Sequence, residues 1–219
     1  MSTGYIDLAR AQQEYWDRSY SATPRLHGSD PSEPARWAAE RFAAGGIDDV
    51  LELGSGHGRD ALFFARHGFS VHATDFSEVA LDQLRLDAQS NGLDEQVTAT
   101  LHDVRDPLPP ADASIGAVYA HLLPSMALSL DELHALVHEV RRVLRPGGVF
   151  VYTAFHVADS ERDSGTDRGD GLVDFAGLTV RFLDRGLVDA LTAGWSLEDL
   201  SEHAEPSSRR PLWRVTQSK

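Results

Sequence analysis

Short apolar runs alternate with amphipathic stretches along most of this chain. The apolar runs are typical of strands that are buried on both faces of a sheet, and they occupy residues 49–53, 69–73, 97–101, 115–120 and 149–155. Residues at helical spacing fill the stretches before and between them, at 6–20, 35–44, 59–67, 78–90 and 130–144. Because strands alternate with helices, the pattern predicts right-handed crossovers and a parallel sheet with helices on both faces.

The last part of the chain breaks this alternation. Residues 159–174 are polar and contain glycines, so we expect a mobile surface loop there. A helix is predicted over 184–193, followed by two strands over 195–200 and 212–216. Since no helix separates these strands, they form a hairpin that adds an antiparallel strand to the sheet. We therefore predict an α/β, Rossmann-like, doubly wound sheet of seven strands, mostly parallel with one antiparallel C-terminal strand.

Composition restricts the partners of such a domain. The chain has 219 residues, of which 42% are hydrophobic, and this suits one compact domain. Its formal net charge of -14 repels nucleic acids and anionic membranes. Basic residues cluster only at Arg141–Arg142 and Arg209–Arg210. We therefore expect neither nucleic acid nor a membrane as a partner, and the oligomeric state stays open.

The absence of cysteine excludes disulfides, thiolate metal ligands and cysteine nucleophiles. It fits a cytoplasmic protein, as does a beginning without the features of a secretory signal. No apolar stretch approaches the roughly 20 residues that a membrane-spanning helix needs. His134 and His138 have the spacing of a metal pair, but Ala135 stands where a zinc peptidase carries glutamate. No metal site is therefore predicted.

A glycine-rich turn follows the first predicted strand, where residues 50–58 read VLELGSGHG. Alternate glycines permit a tight turn and let a ligand approach the backbone. The spacing of Gly56, Gly58 and Ala61, with Asp75 after the second strand, also fits the dinucleotide fingerprint. Glu52 would repel a pyrophosphate, however, whereas a ligand with a sulfonium and an amino group carries positive charge that suits a carboxylate.

These residues resemble the motifs of class I S-adenosylmethionine-dependent methyltransferases. Residues 50–58 match the first motif of that family, Asp75 the second, and Asp103–Val104 the third. The turn LRPGG at 144–148 matches the one that leads into the family's fifth strand. The activity that this resemblance implies is the transfer of a methyl group from S-adenosylmethionine to a small-molecule acceptor.

The resemblance extends over about residues 15–215, nearly the whole chain. It implies one domain over 1–219, in which 1–34 form a lid helix and loop and 35–217 form the core. The segment GRDALFFA at 58–65 leans toward the small-molecule branch of the family, which includes the tellurite-resistance and thiopurine methyltransferases.

The family's motifs imply that the cofactor, S-adenosylmethionine, contacts Glu52, Gly54, Ser55, Gly56, His57, Asp75, Phe76, Asp103, Val104 and Ala120. Within this set, Asp75 accepts hydrogen bonds from both ribose hydroxyls, since a carboxylate offers two acceptor oxygens. Phe76 packs against the adenine, while Asp103 and Val104 bind its amino group and ring edge. Glu52 lies beneath the methionine part and holds the turn or the amino group through water.

The transfer needs a base only if the acceptor must lose a proton, as an alcohol or amine does and a thiolate does not. His121 after the fourth strand is the candidate base, because histidine titrates near neutrality. His156 after the fifth strand is placed in the acceptor pocket, together with Trp16 and Tyr20 of the lid helix. For each histidine, the alternative is a cofactor contact or a surface position. Three further aromatic residues are assigned either to the pocket wall or to the core: Tyr15, Phe182 and Trp213.

Two other functions stay compatible with the sequence. A nicotinamide-dependent oxidoreductase uses a similar sheet and a similar glycine turn. A protein that binds S-adenosylmethionine without catalysis, such as a partner subunit or a sensor, needs only the cofactor motifs. No motif names the acceptor, but the acidic composition and the lack of a large inserted domain favour a compact metabolite or an inorganic anion.

Overall fold

In the computed structural model the described residues are 3–175, 177–204 and 210–219, with side chains from residue 8 onward. The α-helices of this part are α1 (Thr3–Ala22), α2 (Glu33–Ala44), α3 (Arg59–Arg66), α4 (Glu78–Ser90), α5 (Leu130–Val143) and α6 (Arg185–Leu191). The strands are β1 (Asp49–Leu53), β2 (Ser70–Asp75), β3 (Val97–Leu101), β4 (Ile115–Ala120), β5 (Leu144–Phe155), β6 (Thr166–Gly169), β7 (Leu172–Phe175), β8 (Leu178–Arg181), β9 (Ser196–Ala204) and β10 (Pro211–Ser218). The first two residues of the predicted lid segment and Arg209 of the predicted basic pair lie outside the described residues.

Seven strands of the described chain form one sheet in the order β3-β2-β1-β4-β5-β10-β9. The first five are parallel to one another, whereas β10 runs antiparallel to both β5 and β9. The prediction of a mostly parallel, seven-stranded sheet with one antiparallel C-terminal strand is therefore confirmed. The strand order reverses between β1 and β4, so a crevice opens at their carboxyl ends.

Apolar clusters on both faces of the sheet hold the helices in place. On one face α2, α3 and α4 pack through side chains such as Phe42 and Phe64, which are fully buried. On the other face α5 and α6 pack around Val140. Neighbouring residues of one strand serve opposite faces, so Val50 joins the first cluster and Leu51 the second.

Serine residues cap three of the helices. The side chains of Ser32, Ser77 and Ser129 each accept a hydrogen bond from a backbone N–H in the first turn of α2, α4 and α5. Ser129 also forms a capping box with Glu132. Such caps satisfy amide groups that the helix leaves unpaired. The Ser77 cap fixes the start of α4 directly after Asp75, where the crevice lies.

The segment 159–174 is not the surface loop that its polar composition predicts. It contains β6 and β7, which join β8 in a three-stranded antiparallel sheet. Val173 and Val180 are buried beneath this sheet, and their burial outweighs the low strand propensity of glycine and aspartate. Arg181 is also buried and donates to the carbonyl oxygen of Leu128 (2.9 Å), which ties the small sheet to the rest of the fold.

Strand β5 begins earlier than predicted, because Leu144 pairs with Ile115 and a register shift accommodates the turn that follows. The division into a lid over 1–34 and a core over 35–217 stays a prediction. Among the described helices, none combines the length and the hydropathy that crossing a membrane requires.

Candidate active site

One cavity of about 590 Å³ opens at the carboxyl ends of β1, β2 and β4, beneath α1. Its turn side follows the strand ends and consists of Glu52, Gly54, Ser55, Gly56, His57, Asp75, Phe76, His102, Asp103, Val104 and His121. Its other part includes an apolar surface, which we name the apolar chamber, formed by Trp16, Leu123, Met126, Leu128, Phe155, Phe175, Leu178 and Val180. The cavity is also lined by Gln12, Tyr15, Tyr20, Leu26, His27, Arg59, Asp60, Arg105, Leu122 and Arg210. The structure therefore brings most of the predicted site residues together in one cavity.

The turn between β1 and α3 brings bare backbone to the cavity wall. Gly56 and Gly58 have φ angles of 54° and 84°, which disfavour any residue with a Cβ. A Cβ on Gly56 would collide with the hydroxyl of Tyr20, and one on Gly58 would collide with Leu84. Both glycines are therefore required by their surroundings as well as by their backbone angles.

Asp75 ends β2 and binds the turn. Its Oδ2 accepts from the backbone N–H of Gly56 (2.8 Å), and its Oδ1 accepts from that of Ser77 (2.8 Å). Burial raises the pKa of Asp75 to about 6, against the opposing effect of its N–H donors. Each carboxylate oxygen keeps a second lone pair, so the ionised group can accept hydrogen bonds from two ligand hydroxyls. This arrangement suits the ribose role that the family resemblance implies.

Glu52 lies in β1 just before the turn and is only 3% exposed. Its Oε2 is buried without a hydrogen-bond partner among the described residues. Burial, followed by the carboxylate of Asp60, raises the pKa of Glu52 well above its ordinary value of 4.5; Arg59 opposes the shift and Asp75 adds to it. A positively charged ligand group beside Glu52 would stabilise its ionised form.

Asp60, at the start of α3, anchors a buried network that the sequence analysis missed. Its Oδ1 accepts from the backbone N–H of Ser32 (2.7 Å) and its Oδ2 from the Ser32 hydroxyl (2.8 Å). The hydroxyl of Tyr119 donates to the same Oδ2 (3.3 Å). The network ties the start of α2 to α3 and β4, behind Glu52. An acidic residue in the first turn of a helix is common, so the sequence carries no signal for this role.

Phe76, Asp103 and Val104 line the edge of the cavity that the resemblance assigns to the adenine. Asp103 is held in place by Arg105, whose backbone N–H and guanidinium both donate to its Oδ1 (3.0 Å each). The carbonyl oxygen of Phe76 accepts from Nε2 of Gln13 in α1 (2.7 Å). This edge is therefore fixed both by its own turn and by α1.

His121 follows β4 and reaches the cavity. Its Nδ1 lies 2.8 Å from the hydroxyl of Thr153, which also accepts from the backbone N–H of Leu122 (3.0 Å). Thr153 is fully buried in β5 and so fixes the imidazole, a role that no sequence motif indicates. Ala120 is buried and does not line the cavity. The side chain that reaches the cavity at this strand end is that of His121, and the cofactor contact of Ala120 stays a prediction.

His156 does not reach the cavity. Its ring packs on Trp213, with 4.3 Å between ring centroids, and its Nε2 lies 3.8 Å from Oε1 of Glu202. The structure thus corrects the prediction that His156 walls the acceptor pocket, because its ring turns toward β10 and β9. Trp213 is a core residue whose Nε1 donates to the Leu183 carbonyl oxygen (2.9 Å). Phe182 packs in the cluster beneath the small sheet.

Helix α1 covers the cavity and is bonded on both sides of it. On the turn side, Oδ1 of Asp17 accepts from the hydroxyl of Ser77 (2.5 Å). On the chamber side, Nε2 of Gln12 donates to the carbonyl oxygen of Thr179 in β8 (3.3 Å). Helix α1 therefore bridges the main fold and the small sheet.

Four aromatic rings cover the glycine turn. Trp16 and Tyr20 stack with 5.7 Å between centroids, and His27 stacks on His57 at 5.9 Å. Tyr20 meets His57 edge to face at 6.0 Å. Burial, and then the Arg59 guanidinium, lowers the pKa of His27 to about 4 and also lowers that of His57. Both imidazoles are uncharged at neutral pH, and His27 is a site residue that the sequence analysis missed.

Comparison with known proteins agrees with this geometry. Residues 50–148 match a family model described as methyltransferase domain. The chain is 35% identical over 112 residues to dimethylglycine N-methyltransferase of Parasynechococcus marenigrum, covering 50% of this chain and 38% of that protein. It is 30% identical over 160 residues to malonyl-(acyl-carrier protein) O-methyltransferase of Enterobacter lignolyticus, covering 73% of this chain and 57% of that protein. The chain thus spans less than two thirds of either relative.

A solved structure resembles the chain over nearly its full length. It is 1,6-didemethyltoxoflavin-N1-methyltransferase of Burkholderia thailandensis, with bound 1,6-didemethyltoxoflavin and S-adenosylhomocysteine. The TM-score is 0.71 at 20% sequence identity, covering 98% of this chain and 89% of that chain, and this likeness concerns the fold. None of the three proteins is named for tellurite or thiopurine, so the predicted branch stays a prediction. Residues 50–148 are therefore similar to a methyltransferase domain, and the fold of the chain is the one seen in this solved methyltransferase structure.

Proposed function

We propose that this protein transfers a methyl group from S-adenosylmethionine to a small molecule. One observation carries the proposal: Glu52, Asp75 and the bare backbone at Gly56 line the same cavity as the apolar chamber. A cofactor on the turn side therefore meets an acceptor in the chamber without leaving the cavity. Two of the similar proteins are named for methylating dimethylglycine and 1,6-didemethyltoxoflavin, which supports a small acceptor.

The residues on the turn side fit S-adenosylmethionine. The buried Oε2 of Glu52 suits the ammonium group of the cofactor or a water molecule bound to it. The remaining lone pairs of Asp75 suit the two ribose hydroxyls. Phe76 and Val104 offer apolar surface to the adenine, and Asp103 offers an acceptor for its amino group. The remaining proposed contacts come from the turn itself, at Gly54, Ser55, Gly56 and His57.

When bound, S-adenosylmethionine supplies an electrophilic methyl carbon, and the electron pair of the broken C–S bond stays on sulfur. The protein contributes position, and holding the reacting atoms in line is worth roughly 7–11 kcal/mol of the barrier. Helix α1 excludes water from above, with Trp16 and Tyr20 over the turn. His121, oriented by Thr153, is the proposed base for an acceptor that carries a proton. A thiolate acceptor needs no such base.

Two alternative functions make different binding predictions. A nicotinamide-dependent oxidoreductase would bring a pyrophosphate next to Glu52, where the buried carboxylate would repel it. Isothermal titration calorimetry with S-adenosylmethionine, S-adenosylhomocysteine and NADH tests this point. We expect both S-adenosyl ligands to bind and NADH not to bind. Tight NADH binding without binding of either S-adenosyl ligand would overturn the proposal.

A cofactor-binding protein without catalysis would share every residue on the turn side. Release of S-adenosylhomocysteine in the presence of a methyl acceptor, measured by mass spectrometry, distinguishes an enzyme from such a binding protein.

We propose the cytoplasm as the compartment, because a chain without cysteine has no disulfide to keep oxidised. The charge of -14 argues against nucleic acid and anionic membrane as partners.

A further inference from the structure

The apolar chamber is built by elements that lie outside the family's cofactor motifs. Strands β7 and β8 supply Phe175, Leu178 and Val180, and the same small sheet packs against Met126 and Phe155. The lid helix closes the chamber with the ring of Trp16. Flat aromatic side chains therefore stand on separate walls of the chamber, an arrangement that favours the faces and edges of a ring compound.

Gln12 is a polar side chain of the cavity lining whose hydrogen-bonding groups are already used within the protein. Gln12 reaches in from α1 and is 4% exposed. Its Oε1 accepts from the backbone N–H of Ala127 (3.3 Å), and its Nε2 donates to the carbonyl oxygen of Thr179 (3.3 Å). Nε2 also contacts Sδ of Met126 at 3.6 Å. The side chain therefore secures the lid to the chamber, and both of its polar ends already have partners.

Three arginines line the cavity, and each lies near a carboxylate: Arg59, which follows the glycine turn, lies 4.0 Å (Nε to Oδ1) from Asp60, and the other two are Arg105 and Arg210. Nε of Arg210 lies 2.6 Å from Oδ2 of the buried Asp159, and its guanidinium lies over the ring of Phe155 at 4.1 Å. Nη1 of Arg105 lies 3.0 Å from Oδ1 of Asp103, and its Nε lies 3.6 Å from Oε1 of Glu132. A negatively charged acceptor would have to compete with these carboxylates while losing its own hydration, and both effects oppose its entry.

We propose that the methyl acceptor is an uncharged, flat and largely apolar ring compound. The inference rests on the proposed function for the cofactor on the turn side and extends it to the acceptor. Composition alone also allows an inorganic anion as acceptor. We set that possibility aside, because an oxyanion needs hydrogen-bond donors and the walls of the chamber are apolar. His121 belongs to the turn side of the same cavity, and we place it next to the end of the ring compound that receives the methyl group.

The test uses two dyes with the same ring skeleton and different charge. Calorimetry first measures binding of S-adenosylhomocysteine to the full chain, which tests the proposed function by itself. N-phenyl-1-naphthylamine, which is uncharged, and 8-anilino-1-naphthalenesulfonate are then titrated by fluorescence with S-adenosylhomocysteine at saturation. We expect the uncharged dye to bind with one-to-one stoichiometry and at least tenfold more tightly than the sulfonate. Equal or tighter binding of the sulfonate, or no binding of the uncharged dye, would overturn the proposal.

A pair of variants locates the dye. Leu178→Arg places a charge in the chamber wall, and Leu86→Arg makes the same change on α4, where Leu86 is 63% exposed. We expect Leu178→Arg to weaken the uncharged dye at least tenfold and Leu86→Arg to leave it within twofold, with S-adenosylhomocysteine bound equally by both. Unchanged dye binding in Leu178→Arg would overturn the proposal. The dye comparison uses unmodified protein, so it decides the question even if Leu178→Arg does not fold.

Discussion

Replacing Glu52 with glutamine is expected to stabilise the ligand-free protein and to weaken cofactor binding. The substitution keeps the shape of the side chain and removes a buried carboxylate that lies near Asp60 and Asp75. Glutamine leaves a polar group at this buried position but removes the charge that burial and the two carboxylates disfavour, a gain of about 1–2 kcal/mol, since each unit of pKa shift corresponds to about 1.4 kcal/mol. In a chain of this length each kcal/mol corresponds to about 2–4 °C in Tm. We therefore expect Glu52→Gln to raise the Tm by about 2–8 °C at pH 8, measured by differential scanning fluorimetry.

The increase in Tm that Glu52→Gln produces should become larger as the pH rises. Burial holds the pKa of folded Glu52 above 4.5, so below pH 4.5 this residue is protonated in both the folded and the unfolded chain. Above that pH, Glu52 ionises in the unfolded chain before it ionises in the folded chain, so the free energy of unfolding of the wild type falls. The variant has no such group and does not lose stability in this way. The difference in Tm between Glu52→Gln and the wild type should therefore be smaller at pH 5 than at pH 8.

Cofactor binding should change in the opposite direction. A hydrogen bond to a charged group contributes about 1.5–3 kcal/mol, so loss of the carboxylate should weaken S-adenosylhomocysteine by about 10- to 150-fold in calorimetry. Glu40→Gln, at an exposed position of α2, is the matched control and should change neither quantity. A lower Tm for Glu52→Gln would refute the argument from burial, and an unchanged affinity would refute its proposed role in binding.

Asp75, His121 and Gly58 provide further tests. The pKa of Asp75 in the ligand-free protein is about 6, and its ionised form is the one that accepts hydrogen bonds from the ribose hydroxyls. Affinity for S-adenosylhomocysteine should therefore fall as the pH drops below 6. An affinity that stays constant across this pH range in calorimetry would contradict this. His121→Ala should lower turnover of a proton-bearing acceptor by about 100- to 10,000-fold and leave S-adenosylhomocysteine affinity within twofold; parallel losses would indicate a binding role instead. Gly58→Ala should lower the free energy of unfolding by about 2–5 kcal/mol in urea, since it combines a left-handed φ with a collision at Leu84. Gly28→Ala has a similar φ and open space around the added Cβ, so it should cost about 1–2 kcal/mol.

The motif-bearing part of the fold could be predicted because its signals are local. The strand before Gly54 is a continuous apolar run, and the bounds of β1 agree with those read from the sequence. The same holds for β3, β4 and α4, whose ends are marked by a change in the spacing of apolar residues or by a capping residue. Since Asp75 ends a buried strand of a parallel sheet, its place at the crevice followed from topology alone.

Other features of the site depend on contacts between distant segments. Thr153 orients His121 across two neighbouring strands, and no spacing in the sequence links the two residues. His156 occupies the position after β5 that should face the cleft, yet its ring packs on Trp213 because β10 lies beside it. A prediction from strand order gives the position of a residue and leaves the direction of its side chain open.

The apolar chamber could not be predicted, and the reason bears on how this site selects its acceptor. Three of its eight wall residues come from β7 and β8, and these strands follow a segment rich in glycine and aspartate, at 159–171, that reads locally as a loop. Long-range bonds hold these strands, from Gln12 to Thr179 and from Arg181 to Leu128. The turn side, by contrast, is fixed by one short stretch and by Asp75. Under the proposed function, binding of the methyl donor depends on local motifs, whereas the choice of acceptor depends on the tertiary packing of β7 and β8, which can change while the motifs stay the same.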